Sequence, residues 1–309
     1  MGEHSSVLFK ASDYFHPKYW LMWCTFGVLR LAALLPFRGA MGLGWLLGRL
    51  LSHLSRARAQ VIETNLARCF PEKSVAERER IKIEFYRNMG ISLMEVAMCW
   101  WWSDTKLRSM VELRGRDHLD AVLASGRGAI LLTGHYTSLE IGGRLLTLFM
   151  PLQGMYRTQS NAMFDSYLYT RRHSYLVDIV SRKNSIRLVK GIRKQVPTWY
   201  APDQDFKRER NVFAPFMGIA TATITASSRL AQAANAAMLP YYPERKADGS
   251  GYILHIGPPL ENFPSDDEIA DATAINRSIE DWVRRFPENY MWMHQRFKTR
   301  PPGEPPFYP

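Results

Sequence analysis

From Val111 onward, short apolar runs alternate with helical stretches, and this alternation restricts the fold more than any other feature. The apolar runs cover 129–133, 152–156, 198–201, 212–213, 238–242 and 252–256, and helical spacing covers 137–149, 161–175, 222–236 and 266–285. Strands that alternate with helices imply an α/β architecture with a mainly parallel central sheet flanked by helices. Ligands and chemistry in such sheets gather at the carboxyl ends of the strands. Gly134-His135 ends one apolar run and Pro202-Asp203 ends another, which marks both as candidates.

The first third is helical in pattern. Ser74-Val-Ala-Glu77 has the form of a capping box, and the helix it opens extends to about residue 102. That helix ends in Cys99-Trp100-Trp101-Trp102, an apolar patch best read as core. Residues 14–62 contain no Asp or Glu but hold Lys18, Arg30, Arg38, Arg49, Arg56 and Arg58 among tryptophans and aliphatics. Such a composition suits a segment lying at an anionic membrane face. Arg30 and Pro36 interrupt the apolar runs short of the roughly 20 residues a spanning helix requires. Two buried amphipathic helices are the alternative, and the late, Arg-containing run argues against a cleaved secretory signal. The opening MGEHSS matches the short N-myristoylation pattern, which carries little weight alone. The expected organisation is therefore a membrane-associating helical segment over 1–58, an α/β domain over 59–300 and an irregular Pro-rich tail over 301–309.

A formal net charge of +11 points to an anionic partner: nucleic acid, a bilayer surface, a phosphorylated substrate or an acidic carrier protein. No nucleic-acid recognition motif supports the first. Both G-x-x-x-x-G-K-[ST] and G-x-G-x-x-G are missing, which disfavours nucleotide hydrolysis and a dinucleotide cofactor. The three cysteines lie far apart without a CxxC pair, so neither a disulfide framework nor a zinc site is indicated.

In GHYTSLE, His135 closes a strand and Glu140 opens the next helix. A carboxylate accepting from Nδ1–H would fix the tautomer and leave Nε2 to deprotonate a hydroxyl. The plain alternative is a strand-end histidine and a glutamate complementing the helix dipole. HExxH is absent, and so is G-x-S-x-G around Ser138, which weakens metal and serine-nucleophile readings. Asp203 and Asp205, two residues apart, could hold a divalent cation as in sugar transferases, or pair with the basic residues that follow. Arg157, after the 152–156 strand, and Arg171-Arg172 could hold phosphates bidentately, or be solvated surface.

Taken together, these residues resemble the bacterial lipid A biosynthesis acyltransferases, most closely the lauroyl type acting on Kdo2-lipid IVA. The resemblance runs from His16-Pro17-Lys18-Tyr19-Trp20 through Asn65-Leu66, Cys69-Phe70-Pro71-Glu72, His135 to Glu140, Tyr156-Arg157 with Asn161, and Trp199 to Asp205. It closes on the block from Tyr290-Met291-Trp292 to Pro301. It implies an acyltransferase fold at the cytoplasmic face of the bacterial inner membrane. The implied donor is acyl–acyl carrier protein, needing no further cofactor or metal, and the acceptor a hydroxyl of an acylated lipid A precursor. It also implies His135 as catalytic base with Glu140 as its partner, and Arg157, Arg172, Asp203 and Asp205 as substrate-binding residues. Thr158 stands where proline is usual and Arg171 where glycine often precedes the arginine. An acyltransferase for another glycerolipid or glycolipid, a metal-dependent sugar transferase and a non-catalytic membrane scaffold are the other readings.

Overall fold

The computed structural model describes residues 8–53, 56–182, 184–206 and 210–309. The myristoylation pattern, Lys207 and Arg208 fall outside those residues. Five helices come first: α1 (Trp20–Ala32), α2 (Phe37–Leu51), α3 (Arg56–Cys69), α4 (Val75–Trp101) and α5 (Asp104–Arg108). Then follow β1 (Val111–Arg114), α6 (Arg116–Ala124), β2 (Gly128–Leu132), α7 (Leu139–Leu146), β3 (Gln153–Tyr156), α8 (Ala162–His173), β4 (Asp178–Ser181), α9 (Ser185–Arg193) and β5 (Thr198–Tyr200). The chain ends with β6 (Asn211–Phe216), β7 (Ile219–Ile224), α10 (Ala226–Ala234), β8 (Ala236–Arg245), β9 (Tyr252–Ile256) and α11 (Glu268–Arg285).

The central sheet has seven strands in the order β1-β9-β8-β2-β5-β3-β4, and β6 and β7 form a separate hairpin. Pairing from β8 across to β4 is parallel, whereas β9 runs antiparallel to β8. This is the expected mainly parallel α/β class. Every residue of β2, GAILL, is buried, as a strand covered on both faces by helices must be. The expected helix over 222–236 is shorter than its pattern suggested. The β-branched Thr221, Thr223 and Ile224 lie in β7, and helix begins only at Ala226.

Ser74 caps α4 as expected: its hydroxyl accepts from the Glu77 N–H at 3.2 Å, and its own N–H donates to Glu77 Oε2 at 2.7 Å. Of the tryptophans at its far end, Trp100 and Trp102 are core as expected, while Trp101 is half-buried against the same cluster. Trp102 Nε1 donates to the Ala33 carbonyl at 2.7 Å, tying α4 to the turn after α1. Cys69 and Cys99 are buried as expected of core thiols, while Cys24 is exposed.

The N-terminal helices are mounted on α4. Gly44 and Gly48 of α2 meet Gly90 of α4 backbone to backbone: a Cβ on Gly90 would lie 2.0 Å from the Gly44 carbonyl oxygen. Toward the protein α1 presents Phe26 and Ala32, while Trp20, Leu21, Val28 and Leu31 face outward, Leu21 being 81% exposed. Among the described residues no helix is long and apolar enough to cross a membrane. The tail beyond Pro301 contains no helix or strand, yet Phe307 is buried and Tyr308 Oη donates to Asn65 Oδ1 at 2.8 Å.

The α2–α4 contact leaves no space for a side chain. Gly90→Ala is expected to destabilise the fold by roughly 1–3 kcal/mol, through overpacking against backbone. Gly42→Ala, whose Cβ would meet nothing within 4 Å, should be neutral or slightly stabilising. Thermal unfolding of the two variants beside the parent checks this, and equal melting temperatures for all three would refute it.

Candidate active site

Parallel strands β2 and β5 are neighbours, with Leu132 opposite Tyr200, and the Thr133 N–H donates to the Tyr200 carbonyl at 2.9 Å. Both chains then leave the sheet in step, so the residue three beyond Leu132 faces the residue three beyond Tyr200: His135 and Asp203. His135 Nδ1 lies 2.5 Å from Asp203 Oδ1, and the His135 backbone N–H donates to Oδ2 at 2.8 Å. Asp203 is buried, whereas the His135 side chain keeps 23% of its surface accessible.

Burial alone would raise the Asp203 carboxyl, but the charge and two hydrogen bonds of His135 outweigh it and hold the group down at about 2. At neutral pH Asp203 is therefore an ionised acceptor, and in the neutral imidazole it selects the tautomer with the proton on Nδ1 and the lone pair on Nε2. The pair is a base and its orienting carboxylate, able to deprotonate a hydroxyl brought to Nε2.

Glu140, expected to be that carboxylate, is not the partner of His135. It accepts from Arg172 Nε at 3.1 Å, from Arg172 Nη2, and from Tyr175 Oη at 3.3 Å. The reason lies in the turn before α7. Residues 135–138 are not helical, so His135 stays with the strand ends while Glu140, in the first turn of α7, faces α8. Arg172 accordingly holds Glu140 and links two helices. Asp203, expected to bind substrate, instead holds the histidine. Arg157 lies exposed just past β3, the next strand beside β5.

Asp205 accepts from the Thr299 N–H at 2.6 Å and from Thr299 Oγ1 at 3.0 Å, anchoring the closing loop where substrate binding was expected. Asp203 and Asp205 thus engage different partners, and among the described residues no three His, Cys, Asp or Glu side chains converge as metal ligands would. This geometry disagrees with the sugar-transferase reading of the DQD loop. Thr137 and Ser138 are buried: Ser138 Oγ donates to the Pro243 carbonyl at 2.7 Å and Thr137 Oγ1 to Asn289 Oδ1 at 3.3 Å. Ser138 precedes α7 without capping it through its side chain.

Several residues of this region carried no individual signal in the sequence. The Met291 N–H donates to the His135 carbonyl at 2.9 Å, and the Thr137 N–H to the Asn289 carbonyl at 2.7 Å, so the loop after α11 braces the histidine turn. His294 on that loop packs edge-on against His135 with ring centroids 5.6 Å apart, and Gln204 Nε2 lies 3.3 Å from its Nδ1. Burial, then the charge of His135, pushes the His294 imidazole down to about 4. Behind the turn, Arg245 makes a two-bond ion pair with the buried Glu95, at 2.6 and 2.8 Å. Its Nη1 donates to Thr137 Oγ1 at 2.8 Å and to Asn289 Oδ1 at 2.9 Å. Met291 and His294 share a place in the closing Tyr290-to-Pro301 block of the resemblance, whereas Glu95 and Arg245 carried no signal of their own.

The family described as bacterial lipid A biosynthesis acyltransferase matches this chain over residues 9–299. The chain is 36% identical to the Escherichia coli lipid A biosynthesis palmitoleoyltransferase over 297 residues, covering 96% of this chain and 97% of that one. It is also 36% identical to the Escherichia coli lipid A biosynthesis lauroyltransferase over 294 residues, covering 95% and 96%. A lipid A biosynthesis acyltransferase of Haemophilus influenzae is 35% identical over 295 residues, covering 94% of both chains.

The two depressed groups titrate in separate windows. The His294 value lies below its ordinary 6.5, so on acidification the unfolded chain takes up a proton that the folded chain refuses. The stability that neutral His294 provides is complete above about 6.5 and lost on descending toward 4. Asp203, lowered from 3.8 to about 2, contributes above its ordinary value, and that contribution is lost as pH falls through 2. Between pH 7 and pH 4, parent and His294→Gln should therefore diverge in unfolding free energy by roughly 3 kcal/mol, the variant being less acid-sensitive. Urea unfolding across this range measures the difference, and parallel curves would remove His294 as the titrating group.

Proposed function

The chain belongs to the bacterial lipid A biosynthesis acyltransferase family, and from that premise we propose that it moves a fatty acyl group from acyl–acyl carrier protein to a hydroxyacyl hydroxyl of a Kdo2-lipid IVA-type precursor. The His135–Asp203 pair at the carboxyl ends of β2 and β5 carries the reading. His135 Nε2 removes the acceptor hydroxyl proton as the oxygen attacks the thioester carbonyl. Asp203 stabilises the imidazolium that forms, and the proton is returned to the departing thiolate. No nucleotide or metal enters these steps; the donor is a co-substrate, so no cofactor is proposed. Glu140 and Arg172 neutralise one another and fix α7 against α8, which makes them positioning residues for the turn that carries His135. Arg157, exposed beside the same strand ends, is proposed to meet negative charge on the acceptor.

The excess of cations suits both an acidic carrier and a phosphorylated lipid. The outward apolar face of α1, with Leu34 just beyond it, supports docking on the cytoplasmic face of the inner membrane. Identity to the palmitoleoyl and lauroyl relatives is equal at 36%, so likeness supports the lipid A acceptor class without selecting a chain length.

Acyl transfer to a lipid IVA-type acceptor, followed by mass spectrometry, tests the assignment. His135→Ala and Asp203→Asn are each expected to lower kcat by ~10²–10⁴ while the protein stays folded. Glu140→Gln should cost less and keep the parental pH profile, because its carboxylate does not touch the imidazole. If Glu140→Gln shifted the profile and Asp203→Asn did not, the roles assigned here would be reversed.

Membrane docking has its own measurement. Leu21→Glu combined with Leu31→Glu should reduce co-sedimentation with anionic vesicles at least ~10-fold, since burying one leucine stabilises by roughly 1.5–3 kcal/mol. Undiminished sedimentation of the double variant would exclude this face as the contact.

A further inference from the structure

Beside the Glu140–Arg172 pair lies a polar-walled cavity of ≈ 380 Å³, bounded by the end of α4, the start of α5 and the last turns of α7 and α8. Tyr175 lines it and donates to Glu140 Oε1, so one side chain joins the cavity to the catalytic region. The cavity contains a pair of guanidinium groups. Arg144, only 6% exposed, gives Nη1 to Thr147 Oγ1 at 3.0 Å and Nη2 to Asp104, with its Cζ 5.0 Å from the Tyr175 ring centroid. Its Nε–H is buried and has no partner, and the same holds for Nε–H of Arg171 across the cavity.

Buried donors are ordinarily satisfied, and a guanidinium edge most of all. A basic residue in the last turn of a helix complements the negative end of the helix dipole, which explains the charges at these positions. That long-range effect places no demand on hydrogen bonding, and it does not account for two arginines that share one polar space, each with a buried Nε–H left without a partner. Asp104 supplies the one acidic side chain on the wall, but it is 79% exposed and already engaged by Arg144. Lys106, stacked 3.3 Å over Trp102 of the wall, adds another cation at the rim. Glu140, behind the cavity, is neutralised by Arg172.

We propose that this cavity is a binding site for a phosphate group, gripped by Arg144 and Arg171. Two arginines on opposite walls of one polar space match the tetrahedral oxygens of phosphate, and Lys106 at the rim adds to the positive charge. A phosphate on the lipid acceptor and the phosphodiester of the carrier's arm offer this same chemistry. Which of them occupies the site rests on the transfer reading above; the phosphate site itself does not.

The test therefore has two arms. Inorganic phosphate titrated into the full-length protein should raise its melting temperature, and Arg171→Gln should need at least ~10-fold more phosphate for the same shift. Arg171 is partly exposed, so this variant keeps the fold; Arg144→Gln is the second variant and should behave alike. In transfer kinetics, an acceptor KM raised at least ~10-fold in Arg171→Gln, with kcat and donor KM unchanged, assigns the site to the lipid phosphate. A rise confined to the donor KM assigns it to the carrier arm. Equal phosphate stabilisation of parent and both variants would overturn the proposal, whether or not acyl transfer is observed.

Discussion

The site depends on the register between β2 and β5. Because Leu132 pairs with Tyr200, two peptide segments 68 residues apart leave the sheet side by side, and the third residue of each brings His135 against Asp203. A slip of one residue would turn every side chain of β2 to the opposite face and separate His135 from Asp203. Such a slip is resisted along the whole strand, since β2 is buried on both faces and pairs with β8 through Gly128 to Leu132 on its other edge. The geometry of the His135–Asp203 pair and core packing are therefore one constraint. The histidine is held at its backbone N–H, its carbonyl and its Nδ1, and only Nε2 is left for chemistry.

A second constraint stands behind the first. Arg245 from β8 is buried against Glu95 of α4, and its remaining donors reach Thr137 and Asn289. Tyr252 of β9 completes the shell by donating to Glu95 Oε1 at 2.9 Å. A buried ion pair does not by itself stabilise a fold, because removing two charges from water costs about as much as their attraction returns. Losing one partner is costly, typically 3–5 kcal/mol, so the network is strongly cooperative. It joins a helix, two strands, the histidine turn and the loop after α11, and thereby specifies how the turn is presented.

Much of this was legible in the sequence, and the remainder fails for identifiable reasons. Capping boxes and apolar runs are local, so Ser74 and Glu77 announced α4 and the strand ends announced His135 and Asp203. Lateral strand order is not local. Glu140 stands five positions along the chain from His135 and looks like its natural partner, whereas Asp203 becomes a neighbour only once β5 has inserted between β2 and β3. The same limit hid Glu95 and Arg245, 150 residues apart, each unremarkable in its own segment. The segment over 222–236 failed differently: its alanines suit a helix, but pairing with β6 extends the first β-branched residues into a hairpin.

The N-terminal helices and the site are mechanically joined. Phe26 of α1 packs against Trp100 of α4 at 5.7 Å and Tyr167 of α8 at 4.4 Å between ring centroids, and α8 also carries Arg172. Together with the glycine contact of α2 on α4, these rings pack the helix bearing the outward apolar face against the helices that lead to Glu140 and Arg172. On the reading proposed here this packing serves the reaction. An acceptor anchored in a leaflet reaches the protein at a depth set by its headgroup, and a base held at fixed height above that leaflet meets the hydroxyl without a large closing movement. Orientation achieved in the folded scaffold need not be supplied by substrate binding, and this is where positioned bases gain most of their advantage over the same groups in water.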